Sequence, residues 1–275
     1  MPAAKQKDAG SRIRGSMREL REMDTLADGT SPVHARHPLA KLAVTIAYVI
    51  TVVSFQKYDL TRLFVMVLYP AVLFSVTGLR LRTCLRKLRV VLPLVMAVGI
   101  FNPFFDRETL LTIGGAAVSG GVVSMLTLML KGALCLMASY LLIATTRIEA
   151  ICAALRTIRV PSVMVTMLLL TFRYVTLLGE EAAVMSDAYS LRAPGQRGIH
   201  YKAWGSFLGQ LLLRSSDRGG ELYASMQLRG FSGQFPYAKT ARGTARDVIY
   251  TAAWIALFVL ARRFDVTALI GGLMM

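Results

Sequence analysis

The chain has 275 residues, of which 55% are hydrophobic, and its 32 Lys and Arg against 16 Asp and Glu give a net charge of +16. With a mean hydropathy of +0.52 and several apolar runs near the roughly 20 residues that cross a bilayer, it excludes an ordinary soluble domain. The basic residues gather beside those runs rather than in an exposed stripe with aromatics, a pattern that sets topology and meets anionic headgroups, and it argues against nucleic-acid binding.

Residues 1–38 are polar, mixed in charge and without a long apolar run, and the first hydrophobic stretch begins too far in for a cleavable secretory signal. They read as a cytoplasmic, mobile basic tail, with a short amphipathic helix over residues 17–23 as the alternative. His34 and His37 form a His-x-x-His pair before Pro38 with no further His or Cys nearby, so entry to a membrane helix is the plainer reading than a metal site. No metal or cofactor is expected. Cys84, Cys135 and Cys152 lack the short paired spacing of a zinc or disulfide framework and read as packing residues.

A first span over residues 39–55 and a second over 61–78 are joined by only five residues, which makes a helical hairpin. The block 79–90 carries Arg80, Arg82, Arg86, Lys87 and Arg89 with no acid, the strongest orientation signal in the chain, and belongs in the cytoplasm. Two crossings back, the amino terminus shares that side. A third stretch, 90–101, gives only about 18 Å of helix against a core of about 30 Å. It crosses with help from snorkelling Arg86, Lys87 and Arg89, or it is a tilted or broken element inside the bundle, a doubt that Pro93 strengthens. Residues 106–119 read as an external or partly re-entrant loop, and a fourth span, 120–144, returns to the cytoplasm. Lys131 inside it faces a water-accessible interior, snorkels, or lines an ion pathway.

Ile148, Ile151, Cys152, Leu155 and Ile158 recur every three or four residues, an amphipathic helix ended by Pro161. The run 162–179 is ambiguous by hydropathy, but charge decides. Were it to cross, residues 180–246 would lie outside with nine basic residues against five acidic ones, and their only possible return span, 204–213, is too short. Residues 162–191 therefore read as one long helix under the membrane domain, with Arg173, Thr176, Glu180 and Asp187 on one face. A second helix over 204–228 sets Arg214, Asp217, Arg218 and Glu221 on a polar side and Leu211, Leu212, Leu222 and Met226 toward a partner. The stretch 248–261 would be the fifth crossing. Arg262 and Arg263 then fall outside, unless they snorkel or the chain returns through 266–275.

Both long helices end alike, in Ala188-Tyr-Ser-Leu-Arg192-Ala-Pro-Gly195 and Ser225-Met-Gln-Leu-Arg229-Gly230-Phe231. Each has a small residue four positions before an arginine and a glycine soon after. A last-turn cation gains about 0.3–1 kcal/mol from the helix dipole and glycine supplies the stop, so one such ending needs no function. Two of them, in the only sizeable cytoplasmic region, read as matched cationic tips for docking a soluble partner.

Together with Ser31-Pro-Val-His34-Ala-Arg-His-Pro38-Leu-Ala-Lys41-Leu42, Asn102-Pro103, Leu155-Arg-Thr-Ile-Arg-Val-Pro161 and Thr171-Phe-Arg173-Tyr174, these endings mark a family likeness. Over residues 31 to about 262 the chain resembles the transmembrane T component of energy-coupling factor transporters, the group of the CbiQ-type permease. The family's Ala-Arg-Gly motifs map onto Leu191-Arg192-Ala193 and Leu228-Arg229-Gly230, with leucine before each arginine and Ala-Pro after the first as departures. The resemblance implies an all-α polytopic membrane protein: about five transmembrane helices plus a cytoplasmic coupling domain of two long crossed helices and a short amphipathic one. The expected division is a tail over 1–38, four spans over 39–146, a coupling domain over 147–246, and a last membrane helix with the carboxyl terminus over 247–275.

It further implies a non-catalytic subunit of the cell membrane that links two ABC-type ATPase subunits to a small membrane-embedded S component capturing a vitamin or a transition-metal ion. Arg192 and Arg229 would each enter a groove on one ATPase, flanked by Leu191, Ala193, Leu228 and Gly230, while Ala188, Ser225, Gly195 and Arg173 support the coupling helices. The chain has no Gly-x-x-x-x-Gly-Lys-Ser/Thr sequence, so ATP would be hydrolysed elsewhere. An intramembrane lipid-modifying transferase is the competing class, but it would concentrate carboxylates at one depth, whereas Glu180, Glu181, Asp187, Asp217 and Glu221 are spread along helices. A self-sufficient channel or secondary carrier would place polar residues through the spans or repeat whole bundles, and beyond Lys131 and Asn102 these are lacking.

Overall fold

The computed structural model describes residues 9–79, 81–101, 109–113, 116–193, 196, 198–231 and 243–263. In chain order the elements are α1 (Ala9–Leu26), α2 (Pro38–Val53), α3 (Leu60–Val65), α4 (Leu68–Thr77), α5 (Leu81–Gly99), β1 (Thr109–Ile113), β2 (Ala116–Ser119), α6 (Gly120–Thr145), α7 (Ile148–Thr157), α8 (Ser162–Arg192), α9 (Trp204–Leu228) and α10 (Ala245–Arg263). Two compact units result, Ala27–Arg147 with Ala241–Met275 and Met1–Leu26 with Ile148–Thr240.

In the first unit, side-chain contacts fix the direction of every helix. His37 meets Asp247, Tyr48 meets Phe258 and Phe55 meets Arg262, advancing together along both helices, so α2 and α10 run parallel. Lys41 meets Thr145 while Phe55 meets Lys131, so α6 runs against α2. Tyr48 stacks on Tyr69 and Lys41 shares a cavity with Leu73 and Thr77, which sets α4 against α2 as well. Gly99 lies against Met125 and Gly132 against Val95, which sets α5 against α6. The chain thus passes through the unit five times in alternating directions. The starts of α2, α5 and α10 gather at one end with the finishes of α4 and α6, and with Arg36, Lys41, Arg82, Arg86, Lys87, Arg89 and Arg147.

The core between these helices is aromatic and aliphatic, with Val44, Tyr48, Val52, Leu63, Leu134, Leu141, Tyr69 and Phe258 buried. Much of the outer surface is equally apolar. Ile50, Val53, Phe64, Leu94, Val98, Val259 and Leu260 are exposed, as a lipid solvent permits and water does not.

The second span is not one helix but two, α3 and α4, and the break has a covalent cause. Pro70 has no N–H to donate to the carbonyl of Met66 four residues back. That buried carbonyl accepts instead from the Tyr48 hydroxyl at 2.9 Å, and Pro70 sits in the first turn of α4, where a missing donor is harmless. Tyr48→Phe should therefore cost about 1–3 kcal/mol, the penalty of an unpaired buried acceptor, and adding Pro70→Ala should recover part of it by restoring the local donor. Thermal unfolding of the detergent-solubilised variants reads both changes.

The third span is longer than its apolar run. Helix α5 has 19 residues, about 28 Å, because it begins inside the basic block, with Lys87 held 5.6 Å from the centre of the Tyr140 ring. Arginine and lysine have good helix propensity, so the charges extend the helix rather than ending it. The segment read as a loop over 106–119 contains the antiparallel hairpin β1–β2, and the β-branched residues before the Gly114-Gly115 pair in the sequence are its signal. Asn102, Pro103 and the segment 266–275 lie outside the described residues.

Two lysines of the bundle, Lys131 and Lys41, close helix ends. Lys131 donates to the carbonyls of Phe55 at 2.5 Å and Val53 at 3.4 Å, where α2 finishes. Lys41 donates to the carbonyl of Thr145 at 2.7 Å, where α6 finishes. Each ammonium satisfies carbonyls that have no partner within their own helix and sits at the negative end of its dipole, so Lys131 serves as a cap rather than lining an ion pathway. At the opposite helix ends, Asp247 accepts from the N–H of Thr244 at 2.9 Å and of His37 at 3.3 Å, joining the starts of α10 and α2. These bonds and the nearby Arg36 hold its carboxyl below the usual carboxylate range.

Candidate functional site

The second unit is built on α8, a helix of 31 residues and about 46 Å. Its first half is apolar and open, with Val163, Met164 and Met167 more than half exposed. Length and hydropathy alone would let α8 cross a membrane. Its second half holds Glu180, Glu181 and Asp187, each in an ion pair, which belongs to a water-facing helix. Helix α7 packs on α8 through the buried Cys152, Ala153 and Ala154 and stops where Arg159 takes φ +67°. The N–H of Val160 donates to Leu155 and that of Arg159 to Arg156, a stop in which glycine usually holds the left-handed position.

Residues 9–26 are no mobile tail. They form α1, which packs along α8, and the carboxylates of Glu180 and Asp187 pair with Arg21 and Arg14. The face of α8 that carries Glu180 and Asp187 therefore has a partner within the chain.

Helix α9 follows a short 3-10 turn over Tyr201–Ala203, whose first free N–H, that of Lys202, donates to His200 Nδ1. His37 does the same at the start of α2, and His34 Nδ1 bonds the Ser31 hydroxyl at 2.6 Å. The histidines serve local backbone and hydroxyl groups. Helix α9 buries none of its described residues and meets α8 through charge: Glu181, whose side chain is 16% exposed, receives Arg214 at 3.1 Å and Arg218 at 3.6 Å. The linker stays beside the end of α8, where the Tyr189 hydroxyl lies 2.9 Å from Gln196 and accepts from the N–H of His200. Helix α9 consequently runs back across α8, and Glu181 marks the crossing.

That crossing determines where the two arginines stand. Arg192 lies eleven residues beyond Glu181, about 17 Å along α8, and Arg229 lies about 17–22 Å beyond Arg218 and Arg214 along α9. The tips are arms of similar length on opposite sides of one salt-bridged crossing.

The two arms end by different physics. Helix α8 stops at Ala193, with φ −124° and ψ 66°, because Pro194 follows it in the sequence and the residue before proline is pushed out of the helical region. Helix α9 closes in a Schellman motif: the N–H of Gly230 donates to Gln227 at 2.9 Å and that of Phe231 to Met226 at 3.0 Å. Gly230 has φ +79°, a conformation that costs any residue with a Cβ. At both ends the residue before the arginine projects into solvent, Leu191 being 83% and Leu228 90% exposed, and Arg192 and Arg229 are exposed beside them. Each tip thus combines a guanidinium with an apolar side chain.

The supporting residues separate. Ala188 is half-buried. The Ser225 hydroxyl donates to the Glu221 carbonyl at 2.8 Å and so serves its own helix rather than Arg229. Arg173 is exposed, near the apolar half of α8. Gly195 lies outside the described residues. Glu181 and its two arginines carry the geometry yet were not singled out among the expected site residues, because sequence spacing within α9 cannot reveal a partner 33 residues away on another helix.

Known proteins are similar to this chain in sequence. Over 116 residues the chain is 28% identical to the nickel permease LarQ of Lactiplantibacillus plantarum, covering 42% of each protein. Over 147 residues it is 24% identical to the uncharacterized protein MJ1571 of Methanocaldococcus jannaschii, covering 53% of this chain and 50% of the relative. The chain thus aligns with half or less of the length of these curated relatives. Residues 29–237, from the approach to α2 through both tips, match the CbiQ family, described as cobalt transport protein, and the chain belongs to that family.

Proposed function

We propose that the protein is the energy-coupling membrane scaffold of an importer, passing the movement of two cytoplasmic ATPase subunits to a small membrane-embedded S component. The observation that carries this reading is the pair of exposed Leu-Arg tips standing at similar distances on either side of the Glu181 crossing. Two equivalent arms suit two equivalent engines. Arginine suits the contact because its planar fork bonds carboxylates bidentately and stays charged when water is stripped away.

The chain needs no catalytic group for this work. Movement of either ATPase displaces a tip, the crossing transmits it, and the open apolar half of α8 bears on the captured-solute protein. The cargo is a transition-metal ion, in line with the cobalt transport family and the similarity to a nickel permease, with recognition left to the S component. The unit carrying the tips faces the cytoplasm of the cell, since its excess of basic residues would otherwise oppose the positive-inside tendency.

Capture of the tagged chain from native membranes tests the reading. Two ATP-binding-cassette chains and one small hydrophobic protein should accompany it, and uptake of radiolabelled cobalt or nickel should require all of them. Recovery of this chain alone as a homodimer, still competent in transport, would contradict it.

A further inference from the structure

Helix α1 lies before residue 29, outside the part of the chain that matches the family, yet it packs along the helix that ends in Arg192. The contact is ordered at two levels. Arg14 and Arg21, seven residues apart, pair with Asp187 and Glu180, also seven apart and met in reverse order. Two antiparallel helices therefore stay in register over two turns. Between and beside these pairs the packing interlocks through small residues. A Cβ at Gly179 would collide with Met17, and one at Gly10 would collide with Asp187, while Ala183 and Ser186 are buried at 1% and 3% exposure.

Gly179 is the weak point of α8. Glycine inside a helix is unfavourable relative to alanine, through backbone freedom that the unfolded and bent states retain. Here Met17 occupies the space that a side chain at residue 179 would fill. The four charged partners are all at least one-third exposed, so each ion pair adds modestly to adhesion, and the two together set the register. The rest of the adhesion comes from Met17 seated on Gly179 and from Gly10 beside the Ala183 carbonyl.

We propose that α1 is a built-in splint that remains clamped on α8 and keeps the helix straight across Gly179, where its apolar half joins the Glu181 crossing. The mechanical benefit to coupling rests on the function proposed above; the stiffening itself does not. A latch that must open would be poorly served by interlocked glycines, whereas a permanent brace needs them. Because Gly179 lies between the Glu181 crossing and the apolar half of α8, the splint conveys displacement of the crossing to that half without loss to bending.

Amide hydrogen exchange of the full chain in lipid nanodiscs, followed over residues 174–187, tests the splint without reference to transport. Reversing both arginines, Arg14→Glu with Arg21→Glu, sets like charges face to face and should speed exchange there about tenfold, reflecting easier local opening. Adding Asp187→Arg and Glu180→Arg should return exchange to the original rate, which separates loss of the clamp from misfolding. Unchanged exchange in the double variant, or no recovery in the fourfold variant, would overturn the proposal. A disulfide between Met17→Cys and Gly179→Cys, with Cys84, Cys135 and Cys152 replaced by serine or alanine, then distinguishes brace from latch. Oxidation should leave metal uptake by the assembled transporter at the reduced level, and uptake that stops on oxidation and returns on reduction would overturn permanent clamping. Should the chain prove not to couple ATPases at all, copurification would fail in the unaltered protein while the exchange result stood.

Discussion

Reversing the charge of either tip, Arg192→Glu or Arg229→Glu, is expected to strip the protein of its ATPases while leaving it folded in the membrane. Both side chains are exposed and stand at helix ends already closed by backbone geometry, at Ala193 in one case and in the Gly230 motif in the other. Neither helix depends on the guanidinium for its shape. Loss of a desolvated charge contact at an interface costs about 2–5 kcal/mol, partly because the partner charge is left unpaired, and that corresponds to about 30-fold or more in affinity. Reversal adds repulsion to the loss. Copurifying ATPase should fall by at least that order with each single change and disappear in the double change, and metal uptake should follow. Normal assembly and uptake in the double reversal would reject docking by these residues.

A second large effect is expected at Glu181, with a different signature. This carboxylate is the charge that holds Arg214 and Arg218 where α9 crosses α8. It is mostly shielded from water, at 16% side-chain exposure, whereas the arginines are nearly half exposed, so the penalty for removing it lies between buried and surface values. About 1.5–3 kcal/mol is the scale of a hydrogen bond to a charged group. Glu181→Gln should loosen the crossing, and Glu181→Arg should force it apart by gathering three cations. The tips are unaltered in both variants, so ATPases should still copurify. What should fall is coupling: ATP hydrolysis persists while the metal ion taken up per ATP drops several-fold. Retention of full coupling in Glu181→Arg would mean that the crossing transmits nothing.

The contrast between these two results separates grip from transmission. A tip variant loses its partner, whereas a crossing variant keeps its partner and loses the work. Damage to general stability would lower both readouts together. The Tyr48 and Pro70 variants supply that control, since they weaken the first unit without touching either tip.

The long elements were legible because their signals are local. The end of α8 is written in Pro194 and that of α9 in Gly230, and both helices begin and end within a residue of where the sequence places them. The same holds for α6, whose 26 residues carry a single charge, Lys131. What escaped depends on distance. The break between α3 and α4 follows from Pro70, but its tolerance follows from a tyrosine on another helix. The role of Lys131 needed the carbonyls at the end of α2. Helix α1 has low hydrophobicity and mixed charge, so composition favours a tail. Only its pairing, Arg14 and Arg21 against Asp187 and Glu180, makes it an ordered element. The basic block in the first half of α5 misled in the opposite direction, since charge next to an apolar run reads as a boundary while the backbone continues as helix.

The alternating directions of α2, α4, α5, α6 and α10 put the basic cluster at one end of the bundle, and the orientation proposed above turns that end toward the cytoplasm. Docking further requires that both tips lie in that compartment. Cysteines placed at the most exposed tip positions, Leu191→Cys and Leu228→Cys, in a chain without Cys84, Cys135 and Cys152, test this directly with a membrane-impermeant thiol reagent. Intact cells should leave both sites unlabelled and inverted vesicles should label both. Labelling of either site from outside the intact cell would contradict the coupling role at its root.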